Sequence, residues 1–180
     1  MRADIVALAR GWLGTPYHHQ ASLKGVGCDC LGLIRGVYGE ACGQPAETPP
    51  PYSRDWAEAL ARETMIEAAG RHMTPVDLHA AEAGDVLIFR LRPGAMAKHC
   101  AILTCGQGIG PAGGSPRPKR LPSLDMQNHG PESALTYASL FRMIHAIEGA
   151  VVCEVHVTPW WRRRIAAVYR MPGRLASARV

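Results

Sequence analysis

The sequence predicts an α+β fold, with N-terminal helices packed on an antiparallel β-sheet, and two patterns predict it. Over the first forty positions apolar residues recur at helical spacing, whereas after residue 84 they gather in short runs bounded by Gly, Pro or charge, as buried strands do. Helices first and a sheet afterwards is the order of an α+β domain. With 180 residues and 47% hydrophobic composition the chain has material for one proper core, so a single domain over 1–180 is expected.

The first helix lies in "MRADIVALARGWLG", where Ile5, Leu8, Ala9, Trp12 and Leu13 form a stripe broken by Asp4 and Arg10. Those breaks deny it the uninterrupted apolar stretch of a secretory signal, and no run approaches a membrane span, so synthesis and folding in the cytoplasm are expected. "GTPYHHQ" at 14–20 is a loop punctuated by Gly14 and Pro16. The next helix is expected to start near Cys30, with Leu33, Ile34, Val37 and Tyr38 on one face, and with Gly32 and Gly36 one turn apart to admit another backbone. "GQPAETPPPY" at 43–52 cannot continue a helix and reads as an extended connector. A polar amphipathic helix is expected from about Asp55 to Ala69. Strands are expected at 84–91, 99–105, 143–149 and 151–157, and a last one from about Ile165 to Arg170. Residues 106–142, rich in Gly and Pro, read as a long surface loop inserted between the second and third strands.

The net charge of +5 is concentrated in short clusters, "SPRPKR" at 115–120 and "WWRRR" at 160–164. It suits an anionic partner such as nucleic acid, a membrane surface or a cell-wall polymer, or else a solvated basic face; nucleic-acid binding rests on charge alone and is not expected. Six cysteines, at 28, 30, 42, 100, 105 and 153, show no regular framework. Cys100, Cys105 and Cys153 fall in apolar runs where buried free thiols reside, and a Cys28–Cys30 disulfide would close a strained ring, so reduced thiols are expected. C-x-C is not the usual zinc knuckle and no second pair accompanies it; neither metal nor cofactor is expected.

A thiolate attacks a carbonyl, so a catalytic cysteine needs a helix N-terminus or an imidazole to lower its pKa. Cys30 can have both. His99, Ala101 and Leu103 share one face of a strand, and Met143, His145 and Ile147 share a face of the next. If these strands are neighbours, two imidazoles converge on the side where the Cys30 helix packs, one as base and one to orient it. Spacing alone also permits a core thiol with two hydrogen-bonded core histidines.

"GTPYHHQ…GVGCDCLGLIRGVYGE", "GDVLIFR…KHCAIL", "MIHA" and the closing "VVCEVHVTPWWRRRIAAVYR" together resemble the NlpC/P60 cysteine peptidases, motif by motif and in order. The resemblance implies a papain-like fold. It makes Cys30, the cysteine within D-C-x-G-L, the nucleophile, His99 the general base and His145 the third polar residue. Tyr17 would line the oxyanion site with the backbone N–H of Cys30, and Asp29 would lie near a substrate amine. The implied reaction is hydrolysis of an amide in peptidoglycan stem peptides, commonly between D-γ-glutamyl and a diamino acid, through an acyl-enzyme and without a cofactor. The wording "GTPYHHQ…DCLGL" and the lack of a signal peptide resemble the branch in phage tails and gene transfer agents. That branch implies tail hub or baseplate partners and action on the periplasmic wall during DNA delivery. Two features depart from the family: Leu31 replaces the serine after the nucleophile, and the 106–142 segment is long. The alternatives are a structural tail-tip or hub protein with a weak or inactive site, and a thiol acyltransferase, whose mark would be an apolar tunnel beside Cys30. His18, His19, His72, His79, His129 and His156 gain no role from the resemblance.

Overall fold

The computed structural model describes residues 2–53, 62–106, 108–109 and 141–172. Helix α1 (Arg2–Arg10) buries Ile5, Val6 and Ala9, and Trp12 follows it into the core, its indole N–H donating to Glu40. A small hairpin, β1 (Ser22–Leu23) with β2 (Gly27–Cys28), leads into helix α2 (Cys30–Cys42). Leu33, Ile34 and Val37 of α2 are buried, and the helix ends at Gly43, whose φ of 76° closes it with an N–H to Gly39 O. Of the two glycines expected to admit a backbone, Gly32 meets the carbonyl of Ala21, but Gly36 meets the ring of Trp12 instead.

The expected 55–69 helix appears among the described residues as α3 (Thr64–His72); residues 54–61 lie outside them. It stops where Pro75 forces the preceding residue into extended backbone. There β3 (Thr74–Val76) begins, a strand the sequence reading missed because it is short and contains proline. It lies at a sheet edge, where a missing N–H breaks no ladder. A single 3₁₀ turn, Leu78–Ala80, leads into β4 (Asp85–Phe89), which is followed by β5 (His99–Cys105), β6 (Arg142–His145), β7 (Cys153–His156), helix α4 (Pro159–Arg162) and β8 (Ile165–Arg170). They form a six-stranded antiparallel sheet in the order β3-β8-β4-β5-β6-β7, as the α+β reading expects. The third strand ends at His145 rather than 149, because Gly149 takes a turn with φ of 78°. The fourth is β7 alone, and Val151 instead bridges to Pro16. The 106–142 insertion falls almost wholly outside the described residues.

The sheet is buried on both faces, which is why its strands read as apolar runs. One face carries Val86, Ile88, Cys100, Ile102 and Ile144 under the helices. The other carries Leu87, Phe89, Ala101, Leu103 and Met143 beneath Ile109, Phe141 and Val157. No helix among the described residues is long and apolar enough to cross a membrane.

Candidate active site

Asp29 sets the start of α2. Its backbone is extended, and its Oδ1 accepts the N–H of Gly32 at 2.8 Å, an N-cap that satisfies an orphan donor of the first turn. Oδ2 accepts the N–H of Gln20 at 2.8 Å and the hydroxyl of Tyr52 at 2.5 Å, with His19 Nδ1 3.6 Å away. The residue is 2% exposed. The carboxylate expected near a substrate amine is therefore engaged inside the fold, where it ties the 18–21 loop and the proline-rich connector to the helix start.

Tyr52 is the connector's anchor. Its carbonyl accepts from Gln20 Nε2 at 2.8 Å and lies 2.9 Å from His19 Nε2, and its ring meets that of His19 edge-on at 5.1 Å. Burial and the Asp29 carboxylate push the Tyr52 hydroxyl's pKa up, so it remains a donor. Tyr52→Phe is expected to lower stability by about 1.5–3 kcal/mol, the range for a hydrogen bond to a charged group. The loss should appear as a lower urea midpoint at unchanged slope, while iodoacetamide still labels Cys30 first.

Cys30 is the first residue of α2, and its half-buried side chain reaches the entry of β5, where Sγ lies 3.9 Å from the carbonyl oxygen of Lys98. Hydrogen bonding from the Cys100 thiol, followed by the hydrogen bond and charge of His99, holds the Cys30 thiol well below the ordinary range despite burial and the Asp29 charge. Cys100 is held well above it, first by its hydrogen bond to Cys30 and then by burial. Burial pushes Cys28 up to about 12. Of the two cysteines in C-D-C, only Cys30 is set up as a thiolate.

His99 opens β5 and His145 closes β6, and the register Ile102↔Ile144 sets them diagonally across adjacent strands. His99 Nε2 and His145 Nδ1 are 3.1 Å apart. Burial, then the charge of His99, lowers His145 to about 4, so at neutral pH it is an uncharged partner that shares one hydrogen with His99 Nε2, the donor being set by the tautomer, and the other nitrogen of His99 is left for Cys30. The shared face predicted from strand parity is present, but it is the wrong face for the packing expected. Both imidazoles lie on the side away from α1, α2 and α3, among Phe89 and the α4 residue Trp161, while α2 covers the Cys100 face. Cys30 meets His99 at the end of the sheet because it is the tip of its helix.

Trp161, noted in the sequence only as part of a closing pattern, stacks on His99 at 5.3 Å and 29° and meets His145 edge-on at 5.4 Å. It covers the pair. Tyr17 bridges to Cys28 through its backbone and, like Cys30, packs against the buried cluster under the helices. His72 pairs with Glu47, away from the site, and His129 lies outside the described residues. Among the described residues no group of three or more His, Cys, Asp or Glu side chains is arranged to hold a metal. Beside the site, Leu31, Ile34, Met65, Ala69, Ile88 and Cys100 help line an apolar cavity of about 70 Å³.

Fold and site together define a papain-like α+β domain in which a cysteine at a helix N-terminus meets a pair of strand histidines. The NlpC/P60 family model matches residues 14–170, and the chain belongs to that family. The crystal structure of the NlpC/p60 domain of the peptidoglycan hydrolase SagA is similar in fold, at 23% identity and a TM-score of 0.52, over 95% of this chain and 99% of that one. A protein described as similar to a lipoprotein of the NLP/P60 family, from Staphylococcus aureus subsp. aureus Mu50, is 17% identical with a TM-score of 0.49, over 94% of this chain and 41% of its own. No match was found among curated proteins.

Proposed function

We propose that this protein is a cysteine endopeptidase that hydrolyses amide bonds in the stem peptides of peptidoglycan. Family membership supports the class of substrate, and the observation that carries the chemistry is the line Cys30–His99–His145 beside a helix N-terminus. In this reading the Cys30 thiolate attacks the amide carbonyl. The developing oxyanion is met by the Cys30 N–H and Tyr17, and His99 passes its proton to the leaving amine. Water, deprotonated by His99, then releases the acyl group from Cys30, while His145 keeps the imidazole aimed throughout. The bond proposed is that between D-γ-glutamyl and a diamino acid. The setting proposed is a phage-like tail: the enzyme is made in the cytoplasm, assembles with hub or baseplate proteins, and opens the periplasmic wall during DNA delivery.

The apolar cavity does not favour acyl transfer. Its volume of about 70 Å³ is roughly half that of an engineered cavity that takes up benzene, too small for a long acyl chain. Cys30 is also not among the residues lining it.

Digestion of purified Gram-negative peptidoglycan by the wild type and by Cys30→Ala tests the proposal. New stem-peptide fragments, identified by mass spectrometry and made only by the wild type, are the expected result. No fragments from either protein, together with a Cys30 that iodoacetamide labels no faster than a model thiol, would favour the structural tail-protein reading.

A further inference from the structure

Cys100 exchanges no bond in the proposed hydrolysis, where it only helps hold Cys30 as a thiolate, yet it packs behind the nucleophile. Strand alternation turns His99 to one face of β5 and Cys100 to the other, the face that α2 covers. Cys30 packs against the same buried cluster, and its Sγ lies 3.9 Å from the carbonyl of Lys98, two residues before Cys100. Leu31, next to the nucleophile, shares a cavity wall with Cys100, and the Cys100 thiol is close enough to help hold down the pKa of Cys30. Cys30 is half-buried, whereas Cys100 is 2% exposed, so a small oxidant meets Cys30 first.

We propose that Cys30 and Cys100 form a reversible disulfide when a peroxide oxidises Cys30, with Cys100 as the resolving thiol. The Cys30 sulfur attacks one peroxide oxygen, the O–O bond breaks, and the departing oxygen leaves as water, giving Cys30 sulfenic acid. The Cys100 sulfur then attacks the sulfenic sulfur. The S–O bond breaks, and hydroxide leaves with the Cys100 proton as a second water. Two thiols lose two electrons and the peroxide gains them. The disulfide removes the nucleophile, stopping cleavage until an external thiol restores it, and spares Cys30 from irreversible sulfinic acid.

The other cysteines are poorer partners, Cys153 lying on β7, two strands away from β5. Cys28 is buried in the same cluster, but a bond to Cys30 would strain the ring around Asp29, which is pinned as the helix cap. Cys42 closes the far end of α2 and Cys105 the far end of β5.

The test treats the reduced full chain with a small excess of hydrogen peroxide, blocks free thiols with iodoacetamide, and maps trypsin-cleaved peptides without reduction. Cys28 and Cys105 share tryptic peptides with Cys30 and Cys100, so the same mapping in Cys28→Ala/Cys105→Ala assigns the link. The expected result is a Cys30–Cys100 linked peptide in both proteins, with joint loss of the two free-thiol signals and their return with dithiothreitol. In Cys100→Ser, Cys30 should pass to sulfinic acid at the same dose. A Cys28–Cys30 link, or sulfinic acid at Cys30 in the wild type at the dose that produces it in Cys100→Ser, would overturn the proposal. Because the mapping reads no cleavage, its failure is distinct from that of the peptidase reading.

Discussion

His99→Ala is expected to lower the turnover of stem-peptide cleavage by about 10³-fold with KM little changed, within the range for losing a general acid–base group. The fall has two sources: the leaving amine loses its proton donor, and the thiolate loses one of its supports. Cys100 remains as the other support, so Cys30 should still alkylate faster than an ordinary thiol in this variant, though more slowly than in the wild type. His145→Ala should cost less, about 10²-fold, because it misaims the imidazole without removing it. His145→Gln, whose amide can accept from or donate to the facing nitrogen of His99, should recover part of that loss. His145 also marks itself through pH. Its folded pKa of about 4 lies below the ordinary value of roughly 6.5, so as pH falls between these values the unfolded chain gains a proton that the folded chain refuses. Stability should therefore decline over that interval, by on the order of 3 kcal/mol, and His145→Gln should flatten the decline. Single-turnover kinetics and urea titrations at pH 7 and pH 4.5 read both effects. Equal rates for His99→Ala and the wild type would leave the peptidase mechanism without its base.

What could be read from the sequence follows from how far each signal reaches along the chain. The start of α2 was legible because an apolar i, i+3, i+4 pattern begins within a few residues of Cys30, although the Asp29 cap that fixes it appears only in the structure. The strands were legible because they are buried on both faces, which makes them apolar runs. That same property hid the side on which the histidines lie: with Ala101 and Ile102 both apolar, parity pairs His99 with His145 but does not say which face the helices cover. Tyr52 had no signal, since "TPPPYS" has no periodicity and its hydrogen bond to Asp29 spans 23 positions. Trp161 and Cys100 acquire their places by the Cys30–His99 site only through tertiary packing. The hairpin of β1 and β2 was missed because two-residue strands are too short to show alternation.

Gly32→Ala is expected to be the most damaging of three glycine substitutions along α2, and the series separates packing from helix propensity. Alanine in place of glycine favours a helix interior by about 1 kcal/mol, so any large loss must come from contact. At Gly39 the nearest atom to a new Cβ is 3.6 Å away, and Gly39→Ala should be neutral or stabilising by up to about 1 kcal/mol. At Gly36 the Cβ would lie 2.1 Å from the Trp12 ring, which is 2% exposed and held by Glu40; Gly36→Ala should cost about 1–3 kcal/mol as an overpacked site. At Gly32 the Cβ would lie 1.8 Å from the carbonyl oxygen of Ala21, with Ala21 C at 2.9 Å and Ser22 Cα at 3.2 Å. All three are backbone atoms. They cannot rotate away, and the same stretch is fastened to the helix by Ser22 Oγ to Gly32 O at 2.7 Å and Asp29 N to Ala21 O at 3.3 Å. The helix start must move as a unit, taking Cys30 from His99 and loosening the Asp29 cap, so Gly32→Ala should cost more than about 3 kcal/mol, beyond ordinary overpacking. Any folded fraction should lose rapid Cys30 alkylation. Urea midpoints in the order Gly39→Ala, Gly36→Ala, Gly32→Ala from highest to lowest are the expected outcome. Equal midpoints would mean that the 18–22 loop is not held against α2, and the positioning of Cys30 would then need another source.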